Sequence, residues 1–99
     1  MKIYIAGKIN GDNNYKAKFK KAFDYCSQEG MNQVLNPAEL PAGFSPEDYM
    51  KICFAMIDVC DTIYFLNDWK ESKGATLEHT YAEYIGKRIE YQEGKRNEN

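Results

Sequence analysis

Short apolar runs alternate along this chain with longer stretches whose apolar residues recur every three or four positions. Lys2 to Ala6 alternates and is β-branched or aromatic, which predicts a first strand at 2–6. Tyr15, Phe19, Ala22, Phe23 and Cys26 share one face of a helix over 15–29, with Lys16, Lys18, Lys20 and Lys21 mostly outside and Gly30 as its stop. Gln33 to Asn36 is a short second strand. Ser45-Pro46-Glu47-Asp48 is a strong helix start, with a capping residue, proline at the first position and acids in the first turn. The second helix runs over 46–59, and Thr62 to Leu66 is a third strand. A third helix over about 73–86 carries a buried stripe of Ala75, Glu78, Tyr81, Ala82 and Ile85. A last strand follows at 88–92, and the polar tail 93–99 stands outside the single domain of 1–92.

The order is βαβαβαβ. It predicts an α/β fold, a flavodoxin-like three-layer sandwich whose four-stranded parallel sheet has the order 2-1-3-4 with right-handed crossovers. The switch point then lies between strands one and three, and ligands bind there at the carboxyl ends of the strands. The loops 7–14 and 67–74 become the two walls of one crevice.

The second helix is apolar on nearly every side: Tyr49, Met50, Ile52, Cys53, Phe54, Ala55, Met56, Ile57 and Val59. The sheet alone cannot cover such a helix. In a chain of 99 residues the simplest cover is the same helix of a second copy, so a homodimer or higher assembly through 46–59 is expected. A net charge of −2 gives no general attraction to nucleic acid or to an anionic membrane. No apolar run approaches the roughly 18–20 residues of a membrane-spanning helix. The start of the chain is too short and β-like for a signal peptide, and its three widely spaced cysteines do not form a disulfide framework, which points to the cytosol. His79 is the only histidine, and Cys53 and Cys60 read as core, so no metal site is expected.

The candidate chemistry gathers at the two loops. Gly7-Lys8-Ile9-Asn10-Gly11 would let a ligand approach the backbone, although glycine also punctuates any strand exit. It lacks the third glycine of a dinucleotide fingerprint and the spacing of a phosphate-binding loop lysine, so no cofactor is implied. Ser72 and Gly74 stand at a helix N-terminus, where free N–H groups and the dipole favour an anion. Glu78 lies one turn further on, where a carboxylate is costly unless it has a partner or a job. Asp68 and Asp12 lie on the crevice edge, whereas Asp58 and Asp61 lie at the opposite edge and read as capping or surface residues. Trp69 either stacks on a planar base or lids the loop. Tyr4 reads by default as a core tyrosine.

Tyr4-Ile5-Ala6-Gly7-Lys8-Ile9-Asn10-Gly11, Cys60-Asp61-Thr62-Ile63-Tyr64-Phe65-Leu66, Trp69, and Ser72-x-Gly74-x-x-x-Glu78 with Ala82 together carry a resemblance. Over about residues 2–92 the chain resembles the nucleoside 2-deoxyribosyltransferase-like superfamily, which includes the deoxynucleoside 5′-monophosphate N-glycosidases and the small DUF4406 proteins of phages and bacteria. The resemblance implies that Glu78 attacks C1′ of a deoxyribose, that Tyr4 lines the sugar pocket, and that Ser72 and Gly74 hold the 5′-phosphate. It implies that Gly7 to Gly11 wrap the nucleotide and that the protein works as a dimer or larger assembly.

There is one departure. Cys53 stands where the related N-glycosidases carry an aspartate on the second helix, leaving Asp48 or Asp68 to take its place. The candidate catalytic residues are thus Glu78, Tyr4 and Asp68. The candidate substrate-binding residues are Gly7, Lys8, Ile9, Asn10, Gly11, Trp69, Ser72 and Gly74. The implied activity is N-glycosidic bond cleavage or deoxyribosyl transfer on a (deoxy)nucleoside 5′-monophosphate. The alternative is a module that binds or sequesters a nucleotide or nucleotide-derived signal without turnover.

Overall fold

Strand β1 (Lys2–Ala6) runs through the middle of the sheet, and its alternation divides the core in two. In the computed structural model, which describes residues 1–28 and 30–92, Ile3 and Ile5 face one side and pack with Phe19, Ala22 and Cys26 of helix α1 (Tyr15–Ser27). Tyr4 and Ala6 face the other side and pack with Cys53 and Ile57 of helix α2 (Pro46–Val59) and Ala82 of helix α3 (Lys73–Tyr84). Strand β3 (Thr62–Phe65) repeats the division: Tyr64 joins the first cluster, and Ile63 and Phe65 join the second. All four of its residues are buried, as expected of a strand covered on both faces.

The sheet has the order β2-β1-β3-β4, with β2 at Gln33–Leu35 and β4 at Arg88–Tyr91 on its edges. Every pairing is parallel, with Ile3 beside Thr62 and Ala6 beside Phe65 in the central pair. The result is a flavodoxin-like α/β sandwich with α1 on one face and α2 and α3 on the other. Because α1 and α3 leave the adjacent strands β1 and β3 toward opposite faces, their entry loops part at the carboxyl ends of those strands.

Local signals account for the helix starts. Ser45 Oγ accepts the Asp48 N–H at 3.1 Å while Asp48 Oδ2 accepts the Ser45 N–H at 3.4 Å, a reciprocal cap in front of Pro46. Ser72 Oγ accepts the Ala75 N–H at 3.1 Å and begins α3. Short 3-10 turns at Pro37–Glu39 and Trp69–Glu71 occupy stretches that read as plain loop.

Several expectations are corrected. Helix α1 ends at Ser27; Glu29, the expected last residue, and the tail 93–99 lie outside the described residues. Helix α3 ends at Tyr84, so Ile85 becomes its C-cap and is 36% exposed rather than part of a buried stripe. Tyr81 is only half-buried. Helix α2 buries Cys53 and Ile57 against the sheet but leaves Ala55 and Val59 exposed. Its partner within the chain covers the inner half only, and its outer half faces solvent.

The loop after β1 is held close to the sheet by packing. A Cβ on Gly7 would stand 2.8 Å from Leu66 Cδ1 and 3.0 Å from Leu66 Cβ, in a place the backbone of β3 fixes. Gly7 is therefore required by Leu66, the residue whose N–H continues the ladder to the Ala6 carbonyl at 2.8 Å. Gly7→Ala is expected to destabilise the fold by about 1–3 kcal/mol, the usual range for overpacking. Urea unfolding measures it, and an unchanged midpoint would show that the loop is free to move away.

Candidate functional site

The side chain of Tyr4 crosses from the central strand toward α3, and its hydroxyl donates to Glu78 Oε2 at 2.9 Å. Both residues are buried, Tyr4 at 1% and Glu78 at 6% exposure. They are 74 positions apart in the chain, and helix phase brings them together. The Ser72 cap sets where α3 starts, and Ala75, Glu78 and Ala82 then face the sheet. No buried side-chain nitrogen or oxygen among the described residues lacks a hydrogen-bond partner, yet only Oε2 of Glu78 is bonded. The other oxygen, Oε1, therefore keeps some contact with solvent. One carboxylate oxygen is anchored and the other is presented.

Burial pushes the Glu78 carboxyl up to about 7, against the smaller lowering pull of the Tyr4 hydroxyl. Tyr4 itself is raised well above its ordinary value, first by burial and then by the charge on Glu78. The Cys53 thiol of α2 lies beside Tyr4 and within electrostatic range of Glu78, and burial raises it to about 11. Cys53 is thus a neutral neighbour that withdraws no proton from the pair.

The entrance to α3 lies one turn before Glu78. Ser72 Oγ is occupied as an acceptor by its cap, but its hydroxyl proton is free to donate. The Lys73 and Gly74 N–H groups have no partner among the described residues. A Cβ on Gly74 would meet only Met50 Sδ at 3.7 Å and Ser72 Oγ at 3.8 Å, ordinary contact distances. Packing does not demand glycine there.

Asp68 lies on the crevice edge but does not touch the Tyr4–Glu78 pair. Its Oδ1 accepts the Lys8 N–H at 3.1 Å, and its Oδ2 pairs with the Lys18 ammonium, which also pairs with Asp12 and donates to the Lys8 carbonyl at 3.0 Å. This cluster ties the loop after β1 to the loop after β3. The two carboxylates raise Lys18 in spite of its partial burial, and the Lys18 contact holds Asp12 below its ordinary value. Asp48, the other stand-in for the missing helix-two acid, is committed to its capping box.

Trp69 stacks on His79, with ring centres 4.1 Å apart and planes inclined by 10°. Phe65 and Tyr91 also flank the indole, with ring centres 5.3 and 6.2 Å away, and Lys70 Nζ lies over the ring at 5.7 Å. His79 Nε2 is hydrogen-bonded to the Tyr91 hydroxyl at 2.6 Å, and burial lowers its pKa. Lys8 reaches Glu71 at 3.7 Å, Ile9 packs against the α1-side core, and Asn10 and Gly11 are exposed, with Gly11 at φ 80°. Asp58 and Asp61 lie away from the site, as their edge of the sheet implied: Asp58 accepts the Tyr81 hydroxyl and Asp61 accepts the Lys2 N–H.

The sequence profile of DUF4406, a domain of unknown function, matches residues 1–91, from the first strand through the end of β4. The chain belongs to the DUF4406 family. No curated protein matches it. In this DUF4406 domain, sequence reasoning missed the Lys18 cluster and the Trp69–His79 stack, whereas Cys53 is buried in the core of α2 beside Tyr4, as expected. A faint signal existed for Lys18, which sits one residue before the buried Phe19 and one turn into α1, and so at the loop end of the buried face.

Two substitutions test whether the fold tolerates this site at its own expense. Glu78 has a folded-state pKa near 7 against an ordinary value of 4.5, so the folded protein binds the extra proton between those values. Stability contributed by the protonated form is full below about pH 4.5 and is lost as pH rises through about 7. Glu78→Gln keeps an acceptor for Tyr4 and carries no charge. It should be more stable than wild type well above pH 7 by on the order of 3 kcal/mol, and the gain should vanish at pH 4. A pH-independent difference in urea midpoints would contradict a buried, raised Glu78. Gly74→Ala should stabilise α3 by roughly 0.5–1 kcal/mol, since alanine fits and glycine weakens helices; a thermal midpoint that falls would show that the glycine serves packing.

Proposed function

We propose that this protein cleaves the N-glycosidic bond of a (deoxy)nucleoside 5′-monophosphate, with Glu78 as the attacking carboxylate. The observation that carries the reading is the buried Tyr4–Glu78 pair, one helical turn from open N–H groups at the start of α3. The sequence resemblance to the nucleoside 2-deoxyribosyltransferase-like superfamily supports the same assignment. A turn of about 5.4 Å suits the span from a 5′-phosphate to C1′ of the same sugar within a few ångströms. The phosphate takes the Lys73 and Gly74 N–H groups and the Ser72 hydroxyl, and the absence of a Cβ on Gly74 leaves room for its oxygens.

In the reaction Glu78 Oε1 bonds to C1′ as the C1′–N bond breaks. The base leaves with the bonding electron pair and takes a proton from solvent. Water then attacks C1′, gives up a proton, and frees the carboxylate and a 5-phosphosugar; a second base in place of water gives transfer. Tyr4 holds Oε2, so the carboxylate cannot rotate away, and its hydroxyl favours the ionised form needed for attack. The loops holding Asp12 and Asp68, tied by Lys18 of α1, stand as the wall of the substrate crevice.

A second reading, nucleotide binding without turnover, is favoured by one observation: Cys53 at about 11 offers no second acid beside Glu78. Release of free base from deoxynucleoside 5′-monophosphates separates the two. Wild type should release base, and Glu78→Ala and Glu78→Gln should not, while both still bind nucleotide. The rate at limiting substrate should rise with pH through about 7 as Glu78 ionises. Tyr4→Phe removes a lowering interaction, so its rise should fall at higher pH. Wild-type binding with no base released from any deoxynucleotide leaves the binding module as the function.

A further inference from the structure

We infer that the loop between β2 and α2 supplies the surface on which the base of the substrate rests, with Phe44 as the platform and Tyr49 as the residue that positions it. The inference rests on the nucleotide reaction proposed above. The loop passes from one face of the sheet to the other: Ala38 joins the cluster of Ile3 and Ile5, and Leu40 packs against that of Tyr4, Ala6 and Cys53. Beyond Leu40 a single hydroxyl pins it. Tyr49 Oη donates to the Pro41 carbonyl at 2.6 Å and accepts the Phe44 N–H at 3.3 Å. Gly43, at φ 105°, turns the chain between those two points. The Phe44 ring then stands edge-on to the Tyr49 ring, with centres 5.9 Å apart and planes at 90°, and remains 50% exposed.

Helix spacing brings this aromatic pair to the candidate site. Tyr49 precedes Cys53 by four residues, so the two share one side of α2, with Tyr49 one turn, about 5.4 Å, nearer the start of the helix. Cys53 lies beside Tyr4 and within electrostatic range of Glu78. Met50, the residue after Tyr49, has its Sδ 3.7 Å from where a Cβ on Gly74 would stand, so the first turn of α2 adjoins the start of α3. A nucleotide with its phosphate at Gly74 and its C1′ at Glu78 therefore has Phe44 and Tyr49 on its α2 side. Trp69, the other aromatic expected to meet a base, is taken up by its own neighbours: His79 stacks on it, and Phe65 and Tyr91 flank it. Pro41, Ala42, Gly43 and Phe44 carry no polar side chain, and the Tyr49 hydroxyl is held by the loop itself. This surface reads a base by ring area rather than by its edge, which favours purines over the smaller pyrimidines.

Calorimetric titration tests it in the Glu78→Gln chain, where nucleotide is bound without being consumed. The probes are deoxyadenosine 5′-monophosphate, deoxycytidine 5′-monophosphate and deoxyribose 5-phosphate, which has no base. Adding Phe44→Ala should raise the Kd for the purine nucleotide at least about tenfold and that for the pyrimidine nucleotide by less. The Kd for deoxyribose 5-phosphate should stay within about twofold, because its contacts lie at α3. Phe44→Trp should restore the purine affinity. Tyr49→Phe keeps the ring and frees the loop, so it should weaken both nucleotides and spare the sugar phosphate, which a general loss of packing would not do. Phe44 is exposed, so its variants fold as the parent does. Equal purine affinity with and without Phe44 overturns the inference, and so does an equal loss for all three probes, which would mean that Phe44 serves the loop and not the base. A parent that binds neither nucleotide overturns it together with the proposed function. The expected pattern in a protein whose wild type releases no base supports the inference and overturns the cleavage reading alone.

Discussion

The hydrogen bond from Tyr4 to Glu78 joins the central strand to the helix that leaves its neighbour, and it does so with a carboxylate inside the core. Burial alone would expel or neutralise that group. One hydroxyl, with a thiol beside it, offsets the cost only in part, which is why Glu78 stays raised to about 7. The rest of the α2–α3 side is arranged around this compromise. Ala6, Ala75 and Ala82 are small buried residues that let α3 lie close to the sheet, and Ile57, Ile63 and Phe65 fill the dry space beyond. The Ser72 cap sets the helix phase; a start displaced by one residue would turn Glu78 about 100° away from Tyr4.

The opposite wall obeys a different logic. There the Lys18 ammonium is shared by two carboxylates, Asp12 and Asp68, at the carboxyl ends of the central strands, where all three are only half-buried. Such a cluster adds modest stability, but it couples the two loops: Lys18 comes from α1, Asp12 from the loop before it, and Asp68 from the loop after β3. Lys8 adds a backbone bond to Asp68. The loop after β1 is thus tied at Gly7 by packing against Leu66 and further out by charge. Asp68, placed on the correct edge by topology, works there as a tie between loops and makes no bond to the buried pair.

Sheet order and the buried faces of the helices were legible because they depend on period and on order along the chain. Alternation in Lys2–Ala6 and Thr62–Phe65 named the central strands, and the connection order placed them side by side. Glu78 was legible as an acid on an apolar stripe. What depended on distant pairing was not: Lys18 and Asp68 are 50 positions apart, and no local pattern marks a lysine on a largely polar flank as half-buried. Trp69 and His79 stack only because a 3-10 turn folds the indole back over α3. Ile85 fits the apolar spacing but falls past the last turn, and Gly86, at φ 78°, takes the chain off toward β4.

Two glycines that look alike in sequence separate once packing is known. Gly7 is accounted for completely by Leu66, so its reading as an opening for a ligand has lost its independent support. Gly74 has room for a side chain, sits at negative φ, and lies in a helix that alanine would strengthen. A residue the fold would sooner replace is therefore found one turn from a carboxylate the fold would sooner neutralise, and its own N–H and that of Lys73 are open at that end of the helix. Local rules broken at scattered places are ordinary; broken together, within one turn of one helix and at the sheet edge where this topology leaves a crevice, they mark a place shaped by something other than stability. That convergence weighs more toward a ligand at the start of α3 than either departure does alone.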